Sequence, residues 1–155
     1  MLDNVRSAHN VGSVFRTCDG AGVEQLYLVG TTPAPIDRFG REQAEIKKTS
    51  LGATESVAWE SVGSAESFST DEAVRAITRL QANGYTVVAV EQTTDSISLY
   101  DFVVPEKVVY VFGAEVTGVH ADILSVVDQV VEIPMAGMKE SLNVSVTAGI
   151  VLFHK

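Results

Sequence analysis

Val108-Val109-Tyr110-Val111-Phe112-Gly113-Ala114-Glu115 is the stretch from which the fold can be read. A strand with one wet face alternates apolar and polar residues, so five apolar residues in a row predict a strand covered on both faces, as in a parallel sheet sandwiched by helices. Tyr85 to Val90 repeats the pattern, and Gln129 to Ile133 is a weaker third run. Working outward, Gln25 to Val29 and Ser56 to Trp59 are further strand candidates. Helical spacing falls between them. Val11, Val14, Phe15, Cys18 and Ala21 form one stripe behind Asn10, a good N-cap, with Gly22 where the helix would end. Thr31 to Gly40, with Pro33 and Pro35, reads as a loop, and Gln43 to Thr49 as a short helix. Ser69 and Glu72 make a capping box for a helix from Thr70 to Ala82, which Asn83-Gly84 stops. The expectation is an α/β fold with a mostly parallel sheet flanked by helices. The last segment is ambiguous: Leu142, Val144 and Val146 alternate as in a strand, while Ala148, Ile150, Val151 and Phe153 suit a buried helix.

At 155 residues, 46% of them hydrophobic and 20% charged, the chain has the size and composition of a single globular domain spanning residues 1–155. No apolar run approaches the ~20 residues of a membrane span, and Met1 to Asn10 lacks a signal core, which makes a cytoplasmic protein the default expectation. The single cysteine, Cys18, and the scattered His9, His120 and His154 have no metal-ligand spacing, so no metal is expected. The net charge of −9 argues against general electrostatic binding of nucleic acid. Its distribution softens that. Residues 1–48 hold six basic and six acidic side chains, leaving five basic and fourteen acidic for the rest, so a polyanion would be met by the N-terminal third.

Three segments set small or polar residues beside buried elements, where ligands of open α/β sheets gather. In Asn10-x-Gly12-x-x-x-Arg16, the apolar stripe leaves Gly12 and Arg16 together on another face, where the Arg16 fork and the free amides of the helix start could address an anion. The plainer reading is a cap, a close-packing glycine and a solvated arginine. In Phe112-Gly113-Ala114-Glu115-x-x-Gly118, a buried strand runs into a glycine turn that lets a ligand approach the backbone, with a carboxylate just beyond. It is no nucleotide-phosphate motif. In Ile133-Pro134-Met135-Ala136-Gly137 through Ser141-Leu142-Asn143-Val144-Ser145, hydroxyls and an amide sit among apolar residues and need partners, either as helix caps or as a site.

In this order and spacing the three segments resemble the signature motifs of the SpoU (TrmH-like) family of the SPOUT superfamily of RNA methyltransferases. The similarity runs from Asn4 to Phe153, and its third motif is the most specific. The resemblance implies a deep trefoil knot in the C-terminal half, an S-adenosylmethionine (AdoMet) pocket within it, a helix from Ser141 onward, and a homodimer whose first motif completes the partner's site. It places cofactor contacts at Gly113, Ile133 and Leu142, with the loop after Val90 as a further wall, and catalytic positions at Asn10, Arg16, Glu115, Ser141 and Asn143. Ala114 departs from the family's usual asparagine and removes one polar contact. The chain opens directly on the first motif, so RNA recognition is expected from Arg6, Arg38, Arg41, Lys47 and Lys48, or from a partner; a solvated face is the plainer reading of those five.

The implied reaction transfers the AdoMet methyl to a ribose 2′-hydroxyl of tRNA or rRNA. The alternative is a catalytically silent knotted dimer that holds RNA or AdoMet. A guanidinium is a poor proton acceptor, so Arg16 is assigned to positioning an RNA phosphate and easing ionisation of the hydroxyl. Glu115 and Asn143 are assigned to bracing, and Ser141 to either role.

Overall fold

A computed structural model of the chain describes residues 1–63 and 69–154. Among the described residues seven strands form one parallel sheet: β1 (Leu2–Asp3), β2 (Gln25–Val29), β3 (Ala58–Val62), β4 (Thr86–Val90), β5 (Ile97–Ser98), β6 (Val108–Phe112) and β7 (Gln129–Glu132), in the order β3-β2-β1-β6-β4-β7-β5. The helices are α1 (Ala8–Ala21), α2 (Ala44–Ser50), α3 (Ala53–Ser56), α4 (Thr70–Ala82), α5 (Ala121–Leu124) and α6 (Val144–Leu152). None is long and apolar enough to cross a membrane.

The continuous apolar runs have the predicted cause. Along β2, Leu26 and Leu28 enter one core with Phe15, Ile46, Ala148 and Val151, while Tyr27 and Val29 enter the other with Ile77, Leu80 and Ile123. In β6, Tyr110 and Phe112 go to the first core and Val111 to the second. Each alternate residue is thus withdrawn from water on its own side, contributing about 1.5–3 kcal/mol per large side chain. Helices α1, α2, α3 and α6 supply the first core, α4 and α5 the second. The N-terminal half of the chain builds the β3-β2-β1 side. It then crosses to β4 beyond β6, a change of winding direction that leaves a crevice at the carboxyl ends of the central strands.

Several boundaries differ from the sequence reading. Helix α1 starts earlier, because Ser7 is the N-cap: its Oγ accepts from the Asn10 amide at 3.2 Å, which places Asn10 inside the first turn and frees its side chain. Gly22 ends the helix in the left-handed conformation, as expected (φ 72°). Gly12 does not share an open face with Arg16. It is buried where α1 crosses α2, and a Cβ there would overlap the Thr49 hydroxyl and stand 2.7 Å from the Ile46 carbonyl oxygen. The close-packing reading of Gly12 holds. Residues 53–56 close a short helical turn, which delays β3 to Ala58. Helix α4 matches its expected range, with Ser69 Oγ accepting from the Asp71 amide at 3.2 Å. At the C-terminus the helix begins at Val144 instead of Ser141, since the Asn143 side chain caps it by accepting from the Ser145 amide at 2.9 Å.

Candidate active site

Three parallel strands, β4, β6 and β7, deliver their carboxyl ends to one cavity of about 350 Å³. Ile133, Met135, Leu142 and Val144 give it apolar walls, and Glu91, Glu115, Glu132 and Glu140 give it an acidic rim. Gly113 and Gly118 bring backbone to its floor. Its shape depends on close backbone approach: a Cβ on Gly113 would overlap the carbonyl carbon of Gly118 and the amide nitrogen of Val119. The turn between them is tied by reciprocal backbone bonds, Ala114 N to Gly118 O at 3.1 Å and Gly118 N to Ala114 O at 2.9 Å. The 114 side chain is therefore not needed to close this turn.

The residues singled out from the sequence divide. Gly113, Ile133 and Leu142 all line the cavity, and so do Glu115 and Ser141. Asn10 reaches them from α1: its Nδ2 donates to Glu115 Oε1 at 2.7 Å, and its Oδ1 accepts from Asn143 Nδ2 at 3.2 Å. One buried amide thus links the ends of all three motif segments. Asn143 spends its remaining oxygen on the α6 cap, accepting from Ser145 N and Oγ. Arg16 does not join this group. Six residues further along α1 it stands about a third of a turn away from Asn10 around the helix, exposed and with no hydrogen bond or ion pair to a described residue. The five cations expected to recognise RNA are all exposed. Arg6 lies on the lead into α1, Arg38 and Arg41 on the loop after β2, and Lys47 and Lys48 on the last turn of α2. Arg41 is paired to Asp37 at 2.7 Å and Lys47 to Glu42 at 2.7 Å.

Three side chains that the sequence reading did not single out, two of them on the loop after Val90 that it named as a wall, hold the cavity together. Glu91, just past β4, accepts from the Val119 amide at 3.0 Å, its carboxylate occupying the space beside Gly118 that a Cβ would need. Gln92 donates to the Glu140 carbonyl at 2.8 Å and so pins the loop before α6. Asp3, at the end of β1 and 1% exposed, accepts from the His120 amide and from Asn4 Nδ2, both at 2.8 Å. Burial raises its carboxyl above the usual range, with the His120 and Asn4 hydrogen bonds opposing the rise. The signal for Glu91 was available, since it follows a buried strand as Glu115 follows β6.

Residues 1–153 match the SpoU rRNA Methylase family. The chain belongs to that family. It is 32% identical over 155 residues to the tRNA (guanosine(18)-2'-O)-methyltransferase of Aquifex aeolicus, covering 98% of this chain and 65% of that protein. It is 34% identical over 154 residues to the 23S rRNA (guanosine-2'-O-)-methyltransferase RlmB of Salmonella typhi, covering 99% of this chain and 57% of that protein. The chain therefore spans less than two thirds of the length of either relative. Among solved structures it resembles an AdoMet-bound rRNA methyltransferase from Sinorhizobium meliloti, with a TM-score of 0.80 and 26% identity over 99% of this chain and 53% of that one.

Proposed function

We propose that this SpoU-family chain folds as a single methyltransferase domain over residues 1–155 and transfers a methyl group from AdoMet to a ribose 2′-hydroxyl of tRNA or rRNA. The observation that carries this reading is the Glu115–Asn10–Asn143 relay at the rim of the cavity, because it unites three segments distant in sequence around one ligand-sized space. The relatives' names supply the substrate class. The cavity suits AdoMet on its own terms. Its volume is that of a small-molecule site, its apolar walls fit an adenine ring, and the four rim carboxylates complement a ligand bearing a sulfonium and an ammonium group. Gly113, Ile133 and Leu142 would hold the adenosine end. Bound there, AdoMet supplies an activated methyl group.

The chain's own residues must then align a ribose hydroxyl, exclude water and ease loss of its proton. Glu115, Asn10 and Asn143 fix the cavity mouth, and Ser141 stands where it can meet the incoming ribose. Arg16 is assigned to an RNA phosphate, whose charge the planar fork matches with two parallel bonds. Because Arg16 stands apart from its own cavity, the reading includes a homodimer in which it serves the partner's site.

Helix α6 supports that dimer. Val144, Ala148 and Val151 bury one face, yet Val146, Ile150 and Phe153, at helical spacing on the other, remain 50%, 38% and 57% exposed. A helix apolar all round belongs in an interior, and a second copy supplies one. The C-terminal trefoil knot is part of the same proposal, and what supports it is membership of the SpoU family. A cytoplasmic location follows from the substrate class.

The test is transfer of labelled methyl from AdoMet to unmodified tRNA and rRNA, followed by mass mapping of the modified nucleotide. Methylation at a ribose is the expected result. Absence of transfer to either RNA by a folded, AdoMet-binding protein would overturn the assignment.

A further inference from the structure

The loop after β2 is closed on itself. Ile36 and Glu42 pair as an antiparallel bridge, the Asp37 amide donates to the Arg41 carbonyl at 2.9 Å, and Gln43 N donates to Pro35 O at 2.9 Å. Asp37 locks the tip from inside: Oδ1 accepts from the amides of Phe39 and Arg41, both at 2.9 Å, and Oδ2 from Arg41 Nε at 2.8 Å. This order presents two apolar side chains outward, Ile36, which is 50% exposed, and Phe39. The Phe39 ring is 67% exposed, with the Arg38 guanidinium 4.7 Å and the Arg41 guanidinium 4.9 Å from its centroid. The ring lies outside both cores, so the fold does not require it.

We propose that Phe39, flanked by Arg38 and Arg41, is a stacking site for an unpaired base of the RNA substrate. Aromatic rings and guanidinium planes both stack nucleobases, and since Asp37 offsets the Arg41 charge the tip offers the RNA stacking surface more than net charge. The pre-ordered tip lowers the entropy lost on binding. A protein partner would ask for a broader apolar patch, whereas here the ring, with Ile36 as its apolar neighbour on the loop, is framed by two guanidinium groups in the part of the chain that carries none of the net negative charge. The site rests on the RNA reading above and sharpens it: the substrate must offer a single-stranded base near the modified ribose.

Fluorescence anisotropy with a labelled oligoadenylate of roughly 12 nucleotides, and with an abasic strand of equal charge, tests this. Phe39→Leu keeps apolar bulk and loses the π face; Phe39→Trp keeps both. For oligoadenylate, Phe39→Leu should weaken binding about tenfold or more while Phe39→Trp matches or exceeds wild type, and the abasic strand should not distinguish the three. Unchanged thermal melting and AdoMet titration of Phe39→Leu would show that the fold is intact. Equal oligoadenylate binding by wild type and Phe39→Leu overturns the inference, as does an equal loss on the abasic strand. A change of oligomeric state in Phe39→Leu overturns it too, giving the ring to a subunit contact. Methyl transfer by wild type separates the two readings: if wild type methylates RNA while the leucine variant binds normally, only the stacking site falls. If wild type methylates no RNA, the enzyme reading falls, and the oligoadenylate comparison still decides the stacking site.

Discussion

Asn10 and Glu115, 105 positions apart, are joined by a 2.7 Å hydrogen bond that ties the first turn of α1 to the turn after β6. Asn10 is 8% exposed, so an unpaired amide there would be costly. Asn10→Asp sets a second carboxylate against Glu115. Urea unfolding at pH 7 should show a loss of about 1–3 kcal/mol. Two facing carboxylates raise one of their pKa values, so the folded variant takes up a proton before the unfolded one does, and the deficit should shrink as pH falls toward 5. Wild-type stability of Asn10→Asp at pH 7 would remove the relay from the account of the site.

Gly113 is fixed by backbone contact with Gly118 and Val119, so its replacement acts on the turn before it acts on any ligand. Gly113→Ala should destabilise the fold by roughly 2–4 kcal/mol and weaken AdoMet binding together with it, because the clash is with main chain that has no rotamer to yield. Ala114→Asn, on the same turn, should leave stability near wild type, since the Ala114–Gly118 pairing is made by backbone alone. Calorimetric titration alongside urea curves would check both variants.

How much of this was legible in the sequence depended on the length of the signal. The run at Val108–Phe112 was long enough to betray burial on both faces, and its bounds, like those of the strand at Gln25–Val29, match the structure. Strands β1 and β5 have two residues each, too few for any period, although β1 lies near the centre of the sheet. Asn10 looked like a cap because asparagine favours caps. Ser7 took that role, and the amide turned to a partner 105 residues away that no local pattern announces. The loop after Val90 was legible as a wall, but the particular roles of Glu91 and Gln92 were not, their partners being backbone groups of distant loops.

Cys18 is buried in the core on α1, and desolvation pushes its thiol up to about 11. At pH 8 only about one thiol in a thousand is then ionised, so the native protein should resist a thiolate-directed disulfide reagent that labels the unfolded chain within minutes. The linkage has a definite sign. The unfolded chain releases this proton near 9, its unperturbed value, while the folded chain holds it until about 11, so the contribution of Cys18 to stability declines as pH rises across that window. Rapid labelling of native protein at pH 8 would show that α1 opens far more readily than its packing implies.

The exposed α6 stripe predicts that Ile150→Glu, which meets water in the monomer, leaves folding nearly intact and breaks the dimer. Sedimentation equilibrium at micromolar concentration should give a dimer for wild type and a monomer for the variant. A wild-type monomer that still methylates RNA would remove both the dimer and the shared site.

Substitution of Arg16 is the sharpest test of the proposed site, because it should separate folding from chemistry. It lies off the buried stripe of Val11, Val14, Phe15 and Cys18, and it has no partner among the described residues whose loss would be felt on substitution. Arg16→Ala should therefore keep the thermal midpoint and the AdoMet affinity of wild type, since neither the cores nor the cavity include this side chain. Methyl transfer to RNA should nevertheless fall by orders of magnitude, because a phosphate left without its fork no longer holds the ribose in line. Arg16→Lys retains the charge as a point and loses the planar pair of donors, so it should restore only a small part of the rate. Mixing Arg16→Ala with a Glu115→Ala variant adds a second arm: in a shared site, one of the two cavities of the mixed dimer regains both groups, and activity should return above that of either variant alone. Single-turnover transfer by Arg16→Ala within a few-fold of wild type would move the catalytic load to Glu115 or Ser141, and failure of the mixture to recover would confine Arg16 to its own subunit.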